Sequence, residues 1–182
     1  MKKIFILFLI FNFIFAKTIV VDDDYSTGFF GHDTCEDGDA KYNNIKDALN
    51  DADDGDTIRI CPGTYNEDNP LEISKDNLVI ESTTSNPNDV NVSAKNDDDL
   101  FTTNGVYHLV FKGITLKNDN DNKTAFYIQR KAVNWNISNI IVNSKGNGLY
   151  FNQDLKDSNL TEINGSSEDT FIYIKYPENL LI

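Results

Sequence analysis

A loose repeat of 22 to 26 residues in the second half of the chain constrains the fold more than any other feature. Four short segments align: Asp99-Leu100-Phe101-Thr102, Ala125-Phe126-Tyr127-Ile128, Gly148-Leu149-Tyr150-Phe151 and Thr170-Phe171-Ile172-Tyr173. Their starts lie 26, 23 and 22 residues apart. A second register agrees, with Leu109–Leu116 matching Trp135–Val142 at a distance of 26 residues. Self-similarity of this kind in short apolar strands marks a stacked solenoid. One turn per repeat buries alternate residues of each strand and turns the others to solvent. Leu109, Phe111, Ile114 and Leu116 then stack on Trp135, Ile137, Ile140 and Val142, which makes Trp135 a core residue. If Phe126 and Leu149 point inward, Tyr127 and Tyr150 point outward and meet. Exposed aromatic ladders hold sugar rings, although a solvent-facing packing pair is the commoner explanation.

The first half prepares the end of such a stack. Thr18–Val21 is a β-branched strand, followed by a loop rich in Asp and Gly over residues 22–40. Residues 43–52 read as a helix, because Ile45, Ala48, Leu49 and Ala52 fall on one face. Asn43 or Asn44 caps its start, and Gly55 suits a left-handed stop. Ile58 and Ile60 then alternate inward, and Pro62-Gly63 makes a turn. Leu71–Ile73, Leu78–Glu81 and Val90–Ser93 are further short strands. One helix followed only by strands does not fit alternating β-α-β units. It fits a helix plugging the open end of a β-solenoid. The turns between strands are crowded with Asn and Asp, which tolerate left-handed backbone and form amide ladders when stacked.

Residues 1–16 read as an export leader, with Lys2 and Lys3 before an apolar run from Ile4 to Phe15 and Ala16 at the cleavage point. Residues 17–182 are then one domain, divided into 17–65 (strand, loop, cap helix and first coil) and 66–182 (further coils). No stretch after the leader is apolar enough to span a membrane. The expected location is periplasmic, cell-surface or secreted. Loss of Lys2 and Lys3 takes the net charge from −13 to −15. That field repels nucleic acid and anionic membranes, and it disfavours acidic polysaccharides unless a cation bridges them. The only two cysteines, Cys35 and Cys61, read as a disulfide in an exported chain.

Three blocks carry a family resemblance: Asn44-Ile45-Lys46-Asp47-Ala48-Leu49, Asp54-Gly55-Asp56-Thr57-Ile58 and Pro62-Gly63-Thr64-Tyr65. Leu71-Glu72-Ile73 and Asn77-Leu78-Val79-Ile80 follow as the next strands. Together they resemble the start of right-handed parallel β-helix proteins of the pectin-lyase-like superfamily. The resemblance implies an all-β, right-handed parallel β-helix of about five coils with an amino-terminal amphipathic capping helix. It does not imply one activity, because that fold carries lyases, hydrolases, epimerases, adhesins and inert stalks.

Catalytic residues do not emerge. A pectate-lyase-like site needs acidic calcium ligands and an Arg or Lys base, and the chain has only Arg59 and Arg130. Arg59 alternates with inward residues and should face solvent. Arg130 ends a strand near the Asp119–Asn122 turn, which places a calcium-and-base arrangement there in the lyase-like alternative. The runs Asp97-Asp98-Asp99 and Asp119-Asn120-Asp121 do not match a known calcium-loop spacing and read as solvated turns. The Gly-His-Gly motif of polygalacturonase-like hydrolases is absent. His32 and His108 read as surface or satisfied histidines. About five coils with no long loop after Tyr65 also give little material for a deep pocket.

Three asparagines lie in an extended glycosylation pattern, acidic-x-Asn-x-Ser/Thr: Asn91, Asn159 and Asn164. The shorter pattern recurs at Asn122 and Asn136. The chain stops on Leu180-Leu181-Ile182 with no evident cap, and three readings stay open: the tail folds over the end as its own cap, the last coil self-associates with another protomer, or the chain is the amino-terminal piece of a longer surface protein. The sequence therefore reads as an exported β-helix module, non-catalytic and without a cofactor, binding carbohydrate or another cell-envelope component. A polysaccharide lyase-like enzyme, calcium-dependent, is one alternative. A structural stalk or truncated fragment of a larger surface protein is the other.

Overall fold

A computed structural model describes residues 16–25, 35 and 40–182. The elements, in chain order, are β1 (Thr18–Val21), α1 (Ile45–Asp51), β2 (Thr57–Ile60), β3 (Gly63–Glu67), β4 (Leu71–Ile73), β5 (Val79–Ser82), β6 (Val90–Ala94), β7 (Phe101–Thr103), β8 (Val110–Lys112), β9 (Thr115–Asn118), β10 (Phe126–Ile128), β11 (Ala132–Val133), β12 (Asn136–Ser144), β13 (Leu149–Ser167) and β14 (Ile172–Leu181). Every ladder between them is parallel. They form a parallel β-solenoid of about five turns.

Three faces run the length of the coil. The first stacks β1, β2, β5, β8, the leading half of β12 and the later part of β13, with Ile58, Ile80, Phe111, Ile137 and Leu160 in one inward column. The second stacks β3, β6, β9 and the trailing half of β12. The third stacks β4, β7, β10 and the starts of β13 and β14. Alternation along each short strand puts one residue in and the next out.

The interior is aromatic in the middle coils. Phe101, Phe111, Phe126, Trp135 and Phe151 are fully buried and touch in series at centroid distances of 5.2 to 6.1 Å. Trp135 is core as its spacing implies, and its indole N–H donates to the Val106 carbonyl at 2.9 Å.

The corners explain the Asn and Asp content. Between the third and first faces the chain turns through a left-handed residue in coil after coil: Gly55, Asn77, His108, Asn134, Asp157 and Asn179, with φ between +50° and +89°. Each of the first four donates its backbone N–H to the coil above, as in Asn77 to Tyr107 O and His108 to Val133 O. A second left-handed column, Gly113, Asn139 and Glu162, turns the first face into the second. Asn and Gly accept this backbone at little cost, which is why they recur at these spacings. The third corner is an amide ladder. Asn69 Nδ2 donates to the carbonyls of Asn96, Asp98 and Asp99, and Asn120 Nδ2 donates to Asn96 O.

Helix α1 closes the amino-terminal end. Asn44 is its cap, accepting from Asp47 N, and Ile45, Ala48 and Leu49 are buried against the first coil. Buried Glu67 accepts the N–H groups of Ile45 at 2.6 Å and Lys46 at 3.3 Å, which anchors the helix start to β3. The helix ends at Asp51, before Gly55. Gly55 serves as the first left-handed corner of the solenoid instead of as the helix stop.

The repeat alignment needs correction by one residue at two steps. Phe101, not Leu100, lies opposite Phe126, and Ile172, not Phe171, lies opposite Leu149. Leu100-Phe101 and Phe171-Ile172 are apolar doublets, so similarity alone accepts either parity, while a slip of one residue exchanges inside for outside. Strands near the carboxyl end are also longer than the short segments expected from the repeat, because β12 and β13 continue their pairing around a corner.

Candidate ligand-binding face

The third face carries a column of outward residues in strict register: Glu72, Thr102, Tyr127, Tyr150 and Tyr173. The three tyrosines come from consecutive coils. Tyr127 and Tyr150 meet at a centroid distance of 5.8 Å and 46° between planes. Tyr150 and Tyr173 stack at 4.5 Å and 18°. Tyr127 and Tyr150 are half-buried, and Tyr173 is 36% exposed. Asn152 Nδ2 donates to the Tyr127 hydroxyl at 3.3 Å. Tyr150, held between two rings, loses little entropy on contact with a ligand. Three strands at ~4.8 Å spacing give a row about 10 Å long between the outer rings, the length of a short oligosaccharide.

The row opens at one end onto a cleft of about 290 Å³ lined by Glu72, Asp99, Thr102, Asn104 and Gln129 among others. Asp99 is half-buried and its carboxyl is raised above the usual range, by burial first, although Thr124 N donates to it at 2.7 Å. Three carboxyl groups, those of Glu72, Asp98 and Asp99, line this cleft, in a chain whose net charge is −13.

Arg130 is not brought to the Asp119–Asn122 turn. Asp98 Oδ1 accepts Asp99 N, and Asn118 and Asn120 are spent on the corner ladder. The polar cleft over Asp119, Asp121 and Asn122 is lined by Lys145, whose ammonium lies 3.6 Å from Asp121, and Arg130 does not line it. Arg130 packs beside Gly105 at the far end of the third face. Arg59 lies along the first face, 3.5 Å from Glu81, which also pairs with Lys112 at 2.9 Å. His108 occupies an exposed left-handed corner, and His32 lies outside the described residues. Residues 1–15 of the expected leader lie outside them too.

Cys35 and Cys61 are bonded, with Cα atoms 5.6 Å apart, so the loop is tied to the end of β2. Asp22 is buried beside this bridge. Burial raises its carboxyl to about 6, aided by a hydrogen bond with Asp24 and by the charges of Asp24 and Asp23. Tyr65 of the Pro-Gly-Thr-Tyr turn is core: its hydroxyl donates to Cys61 O at 2.9 Å and Val21 O at 3.3 Å, and burial pushes the phenol up. Asn91, Asn159 and Asn164 all point outward and are exposed.

Tyr173 is the member of the row that the sequence alignment misses, since the one-residue slip turns it inward. Its signal is the constant 23-residue spacing of Tyr127, Tyr150 and Tyr173. Among the described residues, no helix is long and apolar enough to cross a membrane. The chain matches no family model, no curated protein and no solved structure. What defines its class is thus its own architecture: a disulfide-tied parallel β-solenoid with a tyrosine row along one face.

Proposed function

We propose that the chain is an exported, non-catalytic binding module that holds a neutral or amino-bearing glycan of the cell envelope along Tyr127, Tyr150 and Tyr173. The carrying observation is the register that brings these three rings into one column next to a polar cleft. The Cys35–Cys61 bridge supports an oxidising destination. The capping helix, the Pro-Gly-Thr-Tyr turn and the three-faced coil support a place near the pectin-lyase-like right-handed helices. Stacking and hydroxyl contacts on three tyrosines give weak, additive recognition suited to a repeating polymer. The test is depletion of the chain from solution by insoluble neutral polysaccharides and chitosan. Tyr150→Ala should weaken retention several-fold while its unfolding midpoint stays within a few degrees. Equal retention of the variant, or selective retention on polyuronates with release of unsaturated products, refutes the proposal.

A further inference from the structure

Asp56, just before β2, is a carboxylate buried to 1% exposure. Its Oδ1 accepts the Lys17 backbone N–H at 2.8 Å, and its Oδ2 accepts Asp53 N at 2.7 Å. Lys17 is fixed by its carbonyl as well, which accepts Thr57 N at 2.9 Å. The Lys17 ammonium donates to Asp51 O at 2.7 Å and lies 3.4 Å from the Asp51 carboxylate, 3.6 Å from Asp53 and 3.7 Å from Asp56. Lys41 pairs with Asp51 at 2.7 Å. Asp54 is engaged elsewhere, accepting Asp76 N at 3.0 Å. Among the described residues, three carboxylates thus face two ammonium groups. The most deeply buried of the three has its cation beyond hydrogen-bond distance.

A buried carboxylate without a close counter-charge carries a desolvation cost that neutral N–H donors offset only in part. The shortfall in this cluster is one positive charge. The atom already bonded to Asp56 Oδ1 is Lys17 N, and Ala16, on the other side of that peptide bond, is exposed. The residue pattern of the export leader ends at this same bond. Hydrolysis there adds water across the amide, leaving a carboxylate on Ala16 and an ammonium on Lys17. The neutral contact to Asp56 then becomes a charge-assisted one.

We infer that the leader is removed by peptide hydrolysis between Ala16 and Lys17, and that the new α-ammonium of Lys17 seats on Asp56 as part of the finished fold. The inference rests on the export half of the proposed function and not on the tyrosine row. The α-ammonium balances the charge of Asp51, Asp53, Asp56, Lys41 and the Lys17 side chain. It also ties the start of β1 to the turn between α1 and β2. An α-amine in contact with a buried carboxylate keeps its proton above the ordinary range of ~7.7 to 8.0, with the Lys17 and Lys41 ammonium groups opposing the shift. The folded state then holds the extra proton, so this stabilisation is full below the ordinary range and is lost as pH rises through the raised value.

The test is to express the full chain in bacterial cells with labelled lysine, purify the product, read its amino terminus by mass and titrate the Lys17 α-amine by NMR. The expected result is a chain that starts at Lys17, with its α-amine titrating about one unit or more above ~8. In Asp56→Asn the same amine should return to ~8, and the titration of the parent chain decides the matter even if that variant does not fold. A Lys17 terminus whose amine titrates at ~8 overturns the inference and leaves the export reading standing. A product that starts at any other residue overturns the inference too, and if that product stays in the cytoplasm the export reading fails with it. Retention on polysaccharides is read separately, so failure of the tyrosine row does not change the result.

Discussion

Replacing Asn69 by Asp changes one NH₂ for one oxygen at nearly constant shape, and the amide ladder makes that change costly. Asn69 is buried, its Nδ2 donates to three carbonyls at 2.9 to 3.1 Å, and its Oδ1 accepts Asn96 N at 2.7 Å. In Asn69→Asp the bond from Asn96 N survives. Two N–H donations are lost, each worth about 1 kcal/mol net, and a carboxylate faces carbonyl oxygens that cost about 1 to 3 kcal/mol when left unsatisfied. The sum is about 3 to 5 kcal/mol at neutral pH, a large share of the ~5 to 15 kcal/mol typical of a domain. It corresponds to a fall in melting temperature of roughly 6 to 20 °C. The penalty also has a sign in pH. The carbonyls favour the protonated acid, so the folded state binds more protons than the unfolded one above pH ~4, and stability falls as pH rises through that window. Acidification toward pH ~4 should restore most of the loss, since the introduced carboxyl, once protonated, donates one bond back. Urea unfolding followed by the single tryptophan, Trp135, reads both effects. A variant within about 1 kcal/mol of the parent at pH 7 refutes the ladder argument. So does a penalty that does not shrink on acidification.

Two further outcomes follow from the amino-terminal end. The Cys35–Cys61 bridge spans 26 residues, which in the chain-entropy model is worth about 3.5 kcal/mol, and the double Cys→Ser chain should show that loss as a lower urea midpoint, with a slope that is steeper because the unfolded chain expands. Asp22, raised to about 6 from an unfolded value of 3.8, keeps its proton in the folded state across that window. There the folded state holds more protons, so the contribution is full below the unfolded value and is lost as pH rises through 6. Glu67 and Asp99, both raised by burial, act in the same direction. The melting temperature should therefore be higher at pH 5 than at pH 7, and Asp22→Asn should narrow the difference.

The legible part of the fold was the part fixed by periodicity. Ile45, Ala48 and Leu49 announce the cap helix, and Leu109–Leu116 against Trp135–Val142 gives a register that the ladders reproduce. The corners were legible only as composition. Asn77, Asn134 and Asn179 look like ordinary turn residues until their spacing is tied to one left-handed column, and His108 and Asp157 hide that column by filling it with other residue types. Tyr173 was missed because Phe171 and Ile172 offer two apolar parities. The amide ladder of Asn69, Asn96 and Asn120 joins residues 24 to 27 apart, through bonds that no local pattern records.

The most direct measurement is calorimetric affinity of the chain from Lys17 to Ile182 for neutral and amino-bearing oligosaccharides of increasing length. A row of about 10 Å predicts affinity that climbs over the first few sugar units and then levels off, and that vanishes in the triple Tyr127, Tyr150 and Tyr173→Ser variant. Binding that is independent of length, or that survives the triple substitution, contradicts the account.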